Sequence, residues 1–298
     1  MYIIENANIL KDKRLTTCSL IIREDRIESI QRSSKHYRLM KMNVEPYIMT
    51  PSYVLLNSKI SPDISFRDLK TMFIDRFLLK GSTALITFVQ VNFENELIER
   101  INEMKMTLLN SPLDFVIAVK IPVRLLTPSF IRKCKKEKVP AIFVEIRCPE
   151  ELANMPWGWI REALFPFNSP LIPIISTSNK KEAGFTLSKW KSIMENEKIS
   201  AFYEELKEDL PLSINALNHL GLYPHMASLM NGTELSYNLY VKGRGIMNVD
   251  EQKLFHYHGD RLVVTVHKGK VVRSGEKVLF KPGYGEHVKV RTPAYFSL

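Results

Sequence analysis

Between residue 51 and about residue 230, strand-sized apolar runs alternate with segments of helical spacing, and nothing else in the chain restricts the fold as much. Residues 53–56, 84–89, 115–120, 141–146 and 171–175 read as strands. Residues 66–80, 94–109, 128–137 and 150–165 fit helices between them. Repetition of that unit predicts βα crossovers and a parallel sheet. Local signals agree: Leu69, Met72, Phe73 and Phe77 follow helical spacing, Lys80 falls in the last turn and Gly81 supplies a left-handed cap. Pro128 after Thr127 is a proline at the first helical position behind a capping hydroxyl.

The two ends of the chain read differently. Short strands are expected at 2–4, 7–10, 19–23 and 26–30, with Glu24-Asp25 as the turn of a hairpin over 19–30. Residues 261–272 form a second hairpin around Lys268-Gly269.

In order along the chain these segments resemble the amidohydrolase superfamily. Met49-Thr50-Pro51-Ser52-Tyr53-Val54-Leu55-Leu56-Asn57-Ser58-Lys59 resembles the start of that family's barrel, where a Pro-Gly-aromatic-aliphatic-Asp stretch leads into His-x-His. The stretch Lys80-Gly81-Ser82-Thr83-Ala84 is similar to the lead into its second strand. The segment from Leu210 to Ala227 resembles its closing helices, and Lys268-Gly269 resembles a turn in its sandwich. The resemblance implies a (β/α) TIM-like barrel over residues 51–230, with a small β-sandwich built from residues 1–50 and 231–298. About 180 residues are available for the barrel, against about 250 for eight complete units. A reduced or distorted barrel with units missing after Ile175 is therefore expected, residues 186–210 offering helix but no strand.

The chemistry of that family needs a divalent metal held by His and carboxylate groups, which ionises a bound water. Here Asn57 and Lys59 stand where the paired histidines would be, and no histidine lies between His36 and His219. An ammonium at that position repels a cation. His256-Tyr257-His258 is the one His-x-His, and on a strand its two rings would share a face; without a further ligand at suitable spacing it is read as structural. The strand ends would present Asn57, Lys59, Thr87, Gln90, Lys120, Glu145, Arg147, Ser176 and Thr177. Among these, Asn57, Lys59, Lys120, Glu145 and Arg147 are the candidate ligand-binding residues: the three cations form an anion pocket, or Lys59 and Glu145 form an ion pair in place of the metal. Cys18, Cys134 and Cys148 show neither a CxxC spacing nor a nucleophile arrangement and are read as reduced packing residues. Trp157-Gly158-Trp159 is read as a plug over an open barrel, with an aromatic grip on a ligand or partner as the alternative.

The balance of 42 Lys plus Arg against 32 Asp plus Glu leaves +10, which raises a nucleic-acid reading. No zinc-finger, RNP or basic-heptad signature accompanies it, and the run Arg132-Lys133-Cys134-Lys135-Lys136-Glu137-Lys138 is read as a solvated helix face. No apolar run approaches the roughly 20 residues of a membrane span, and a cytoplasmic protein is expected. The functional expectation is a non-catalytic amidohydrolase-like protein without cofactor or bound metal, binding a small anionic ligand or a protein partner, homo-oligomerisation being open. The alternatives are a metal-independent hydrolase using Lys59 and Glu145 as base and acid, and a basic nucleic-acid-associated protein.

Overall fold

A computed structural model describes residues 1–11, 14–34, 36–177, 179–246 and 249–293. Both chain ends meet in one sheet. Strands β1 (Tyr2–Lys11), β2 (Arg14–Arg23), β3 (Arg26–Gln31), β4 (Lys41–Asn43) and β5 (Tyr47–Pro51) come from the N-terminal end. From the C-terminal end come β11 (Tyr237–Val241), β12 (Leu262–His267), β13 (Lys270–Ser274) and β14 (Lys277–Val278). The order is β14-β13-β12-β11-β5-β1-β2-β3, with β4 on β1. The expected sandwich is thus a single hydrogen-bonded sheet of nine strands, mostly antiparallel, because β11 pairs directly with β5 from Tyr237↔Pro51 to Val241↔Tyr47. The two strands expected at 2–4 and 7–10 are one strand with a bulge between Ile4 and Ala7, where Asn6 takes φ 58°. The β12–β13 hairpin turns on Lys268 and Gly269, both at positive φ (46° and 72°), the backbone a right-twisted two-residue hairpin requires.

Five parallel strands make the second sheet: β6 (Tyr53–Leu56), β7 (Ser82–Gln90), β8 (Asp114–Pro122), β9 (Ile142–Ile146) and β10 (Leu171–Ile175), in sequence order. It curls into a half-barrel. Helices α1 (Phe66–Met72), α2 (Leu97–Thr107), α3 (Pro128–Lys136), α4 (Trp157–Leu164) and α5 (Lys180–Asn196) follow the successive strands, and α6 (Ile214–His219) and α7 (Glu251–Tyr257) come after. The caps form as the residues dictate: Thr127 accepts from Phe130 N at 3.2 Å ahead of Pro128, and Gly81 sits at φ 79° behind the turn that ends at Lys80. The helix expected over 150–165 is interrupted, a short 3₁₀ turn (Pro149–Leu152) ending before Pro156 caps α4.

Side-chain alternation divides the half-barrel. Leu55, Leu85, Val89, Val119 and Val144 face the helices in one large core. Val54, Leu56, Ala84, Ile86, Val116, Ala118, Phe143 and Ile172 face the concave side and pack against Leu217, Leu220, Leu222 and Val290. Trp157 belongs to the helix layer. It is buried edge-on against Trp190 and donates to Leu152 O, so it does not plug the barrel as expected; Trp159 is exposed.

The concave side is crossed by a strap, residues 200–212, that bonds to both free edges of the half-barrel sheet. At one end Leu171 N donates to Ser200 O and Phe202 N to Leu171 O, giving the Leu171↔Ala201 bridge on the free edge of β10. At the other end Asp209 N donates to Leu56 O and Leu212 N to Val54 O, giving the Leu55↔Pro211 bridge on the free edge of β6. Between them Phe202 and Leu206 pack onto the concave core. Alternate amides of β10 point to its free edge, and each is accounted for: Leu171 by the strap, Pro173 by having no N–H, Ile175 by the Glu205 carboxylate. An edge finished in this way offers no row of donors to another strand.

Candidate functional site

At the C-terminal ends of the parallel strands the concave face turns polar. Register places Gln90 beside Lys120 and Lys120 beside Phe143. Continuing the alternation past Phe88, Ala118, Phe143 and Ile174 therefore puts Gln90, Lys120, Glu145 and Ser176 on one side. Lys120 Nζ meets Glu145 Oε1 at 2.8 Å, and Ser176 Oγ donates to the same oxygen at 3.0 Å. Both charged side chains are about one-fifth exposed. Partial burial works to raise the Glu145 carboxyl. The hydrogen bonds from Lys120 and Ser176, with the charges of Lys120 and Arg147, outweigh it and hold the group below the ordinary carboxylate range.

The expected Lys59–Glu145 pair does not form. Lys59 is exposed just past β6, its backbone N–H donating to Asn57 Oδ1 at 3.0 Å, and the ammonium that reaches Glu145 is Lys120. Arg147 is exposed and acts on Glu145 only through its charge. Thr87 lies on the opposite, helix-facing side with its hydroxyl buried, and Thr177 donates to Glu182.

Asn57 is fully buried. Its amide donates to Asp209 Oδ1 at 2.8 Å, and Asp209 Oδ2 accepts from Arg76 Nη1 at 2.8 Å. Next to it Ser58 Oγ bonds the Glu208 carboxylate. The strap thus brings two carboxylates to the position after β6. One of them is neutralised by a guanidinium, and Asn57 closes the network with its two polar atoms both used. Sequence reasoning missed Asp209, Glu208 and Arg76. Asp209 ends the acidic run Glu204-Glu205-Leu206-Lys207-Glu208-Asp209, whose charge density is visible, but its approach to β6 depends on the strap.

Beside this network a groove of about 560 Å³ opens over β6, β7 and β8, lined among others by Ser58, Ser61, Gln90, Asn92, Arg100 and Lys120 and by no carboxylate. His256 and His258 lie elsewhere, on the last turn of α7 and just past it. Residues two apart on a helix point about 200° apart, so the shared face that a strand would give them is lost. Among the described residues no three His, Cys, Asp or Glu side chains come together to hold a metal ion. No helix among them is long and apolar enough to cross a membrane. Cys18 and Cys134 are buried and Cys148 partly so, all three as free thiols.

No protein-family model matches the sequence, and no curated protein is similar to it. Solved structures do resemble it. The L-hydantoinase (dihydropyrimidinase) from Arthrobacter aurescens superposes with a TM-score of 0.62 at 10% identity, over 97% of this chain and 100% of the other. A D-hydantoinase from a Bacillus species gives 0.59 at 9% identity, over 98% and 100%. A prolidase complexed with N-methylphosphonate-L-proline gives 0.56 at 8% identity, over 92% and 99%. The fold of this chain is similar to that of these hydantoinases and this prolidase, with a five-stranded half-barrel as its parallel sheet.

Proposed function

We propose that the protein is a non-hydrolytic binding protein on an amidohydrolase fold, taking a small anionic ligand in the groove over β6–β8. The observation that carries this reading is the Asn57–Asp209–Arg76 network: each oxygen of the carboxylate next to the end of β6 is already bonded, one to an amide and one to a guanidinium. Lys120 and Arg100 are the groove's cations, each also paired with a carboxylate outside the lining, Glu145 at 2.8 Å and Glu103 at 3.1 Å, and Ser58, Ser61, Gln90 and Asn92 are its hydrogen-bonding groups. Lys59, exposed at the end of β6, adds a third cation near it. Small dicarboxylates should raise the melting temperature of wild type and not of Lys120→Met, while hydantoin and dihydropyrimidine rings stay closed on incubation. Ring opening above the rate of a protein-free control would overturn the proposal.

A second reading, hydrolysis without metal, draws on the Lys120–Glu145–Ser176 cluster. An ionised carboxylate between an ammonium and a hydroxyl is a starting arrangement for general base chemistry, with Lys120 in the role the sequence suggested for Lys59. Any turnover lost in Glu145→Gln would favour it.

A further inference from the structure

The other end of the half-barrel holds a second basic cavity. It has a volume of about 220 Å³ and is lined by Lys105, Lys136, Glu137, Lys138, His287 and Lys289, with an apolar floor that includes Ile117 and Val139. Its cations come from three separate parts of the chain. Lys105 is in the last turn of α2 and Lys136 in the last turn of α3. Lys138 follows at φ 53°, its N–H bound to Lys135 O.

The C-terminal segment supplies the rest, and β8 fixes its position: Phe115 N donates to Glu286 O and Val288 N to Phe115 O, both at 2.9 Å. Val288 and Val290 turn into the concave core. Extended backbone then sends His287 and Lys289 to the other side, where the His287 ring stacks on Phe115 at 5.4 Å.

Each lysine near a helix C-terminus gains from the helix dipole, but that does not account for four around one hollow. Neighbouring lysines are engaged: Lys133 pairs with Glu94 at 3.0 Å, and Lys135 donates to the carbonyls of Ala163 and Phe165. Among the described residues Lys105, Lys136, Lys138 and Lys289 have no carboxylate within 4.0 Å. Glu137 is the one acid in the lining. Four lysines lining one hollow offer an oxyanion seated there several charge-assisted hydrogen bonds.

We infer that this cavity binds a phosphate-bearing small molecule, with a phosphate or diphosphate group seated among Lys105, Lys136, Lys138 and Lys289 against the His287 ring. The volume is below the roughly 300–1,000 Å³ of pockets that enclose drug-sized ligands, so it takes the charged group and leaves the remainder of the molecule outside. The site lies at the start of β9, at the opposite end of the strands from the groove proposed above.

The test is pyrophosphate titrated into histidine-labelled protein at constant ionic strength, read by NMR at the His287 ring. Burial, then Lys105 and Lys289, push that imidazole down to about 4, and a bound dianion raises it. The expected result is a saturable one-to-one response with a raised His287 pKa. Lys136→Gln and Lys289→Gln should each weaken binding about tenfold, the loss of one charge-assisted hydrogen bond, and Lys191→Gln, remote from the cavity, should have no effect. A non-saturating response, an equal loss in Lys191→Gln, or a loss in Lys120→Met instead would overturn the assignment.

Discussion

Asn57 and Asp209 are 152 positions apart in the chain, and the amide of the first donates to the carboxylate of the second at 2.8 Å. This bond ties the strap to the strand that begins the half-barrel. It involves Asn57, one of the two residues that, by the sequence resemblance, stand where paired histidines would be.

Asn57→Asp replaces the amide donor with a second carboxylate facing Asp209 at a fully buried position. Loss of the hydrogen bond and like-charge repulsion should cost about 2–4 kcal/mol at pH 7. The new carboxyl has a folded pKa above its unfolded value, so the deficit grows as pH rises through that interval and shrinks in acid. Urea denaturation of variant and wild type at pH 5 and pH 8 measures the difference.

Lys120→Met leaves Glu145 partly buried with Ser176 as its remaining hydrogen-bond donor. Wild-type Glu145 is depressed, so its contribution is present above the unfolded carboxylate value and is lost as pH falls through the folded one. The variant should be about 1–2 kcal/mol less stable at neutral pH, with the gap to wild type closing toward pH 3. A gap that does not change with pH would assign the loss to packing.

His267 is 1% exposed, with neither ring nitrogen hydrogen-bonded. Its Nε2 lies 3.7 Å from Asp114 Oδ2, but Lys268 already holds that carboxylate at 2.8 Å, and Glu286 faces the group from the C-terminal segment. Burial and the Lys268 charge push the imidazole down to about 3. A depressed histidine contributes stability that is complete above the unfolded value and drains away as pH falls toward the folded one, by at most about 1.4 kcal/mol per pH unit. His267→Leu should flatten that part of the acid limb between pH 6.5 and pH 4 in a thermal-unfolding series.

Gly81 combines φ 79° with a close approach: a Cβ there would lie 2.7 Å from Asn238 Oδ1. Asn238 itself donates to Gly81 O at 2.9 Å and accepts from Thr265, joining the half-barrel to the nine-stranded sheet. Gly81→Ala should cost about 2 kcal/mol or more, through the left-handed backbone and the displaced amide together, read as a lower urea midpoint.

Much of this architecture could be read from the residues. The strands at Tyr53–Leu56 and Leu171–Ile175 and the turn at Lys268-Gly269 rest on local signals, apolar runs bounded by breakers and a pair of residues tolerant of positive φ. The strap could not be read, because each of its ends touches the sheet through one bridge and residues 200–212 carry no period of two. The cation partner of Glu145 was misassigned for a related reason. Lys59 and Lys120 are both strand-end lysines, and only the β8–β9 register, with Lys120 opposite Phe143, puts one of them within reach. His256-Tyr257-His258 shows the same limit: the spacing has a different meaning on a strand and at the end of a helix.

The most direct test of the proposal that this site holds no metal is the metal content of purified, untagged protein, exposed to zinc and manganese and then dialysed against metal-free buffer. With Asp209 held by Asn57 and Arg76, zinc, iron, manganese and nickel should each remain well below one equivalent per chain. One equivalent retained by wild type and lost in Asp209→Ala would contradict the account and make the strand ends a metal centre.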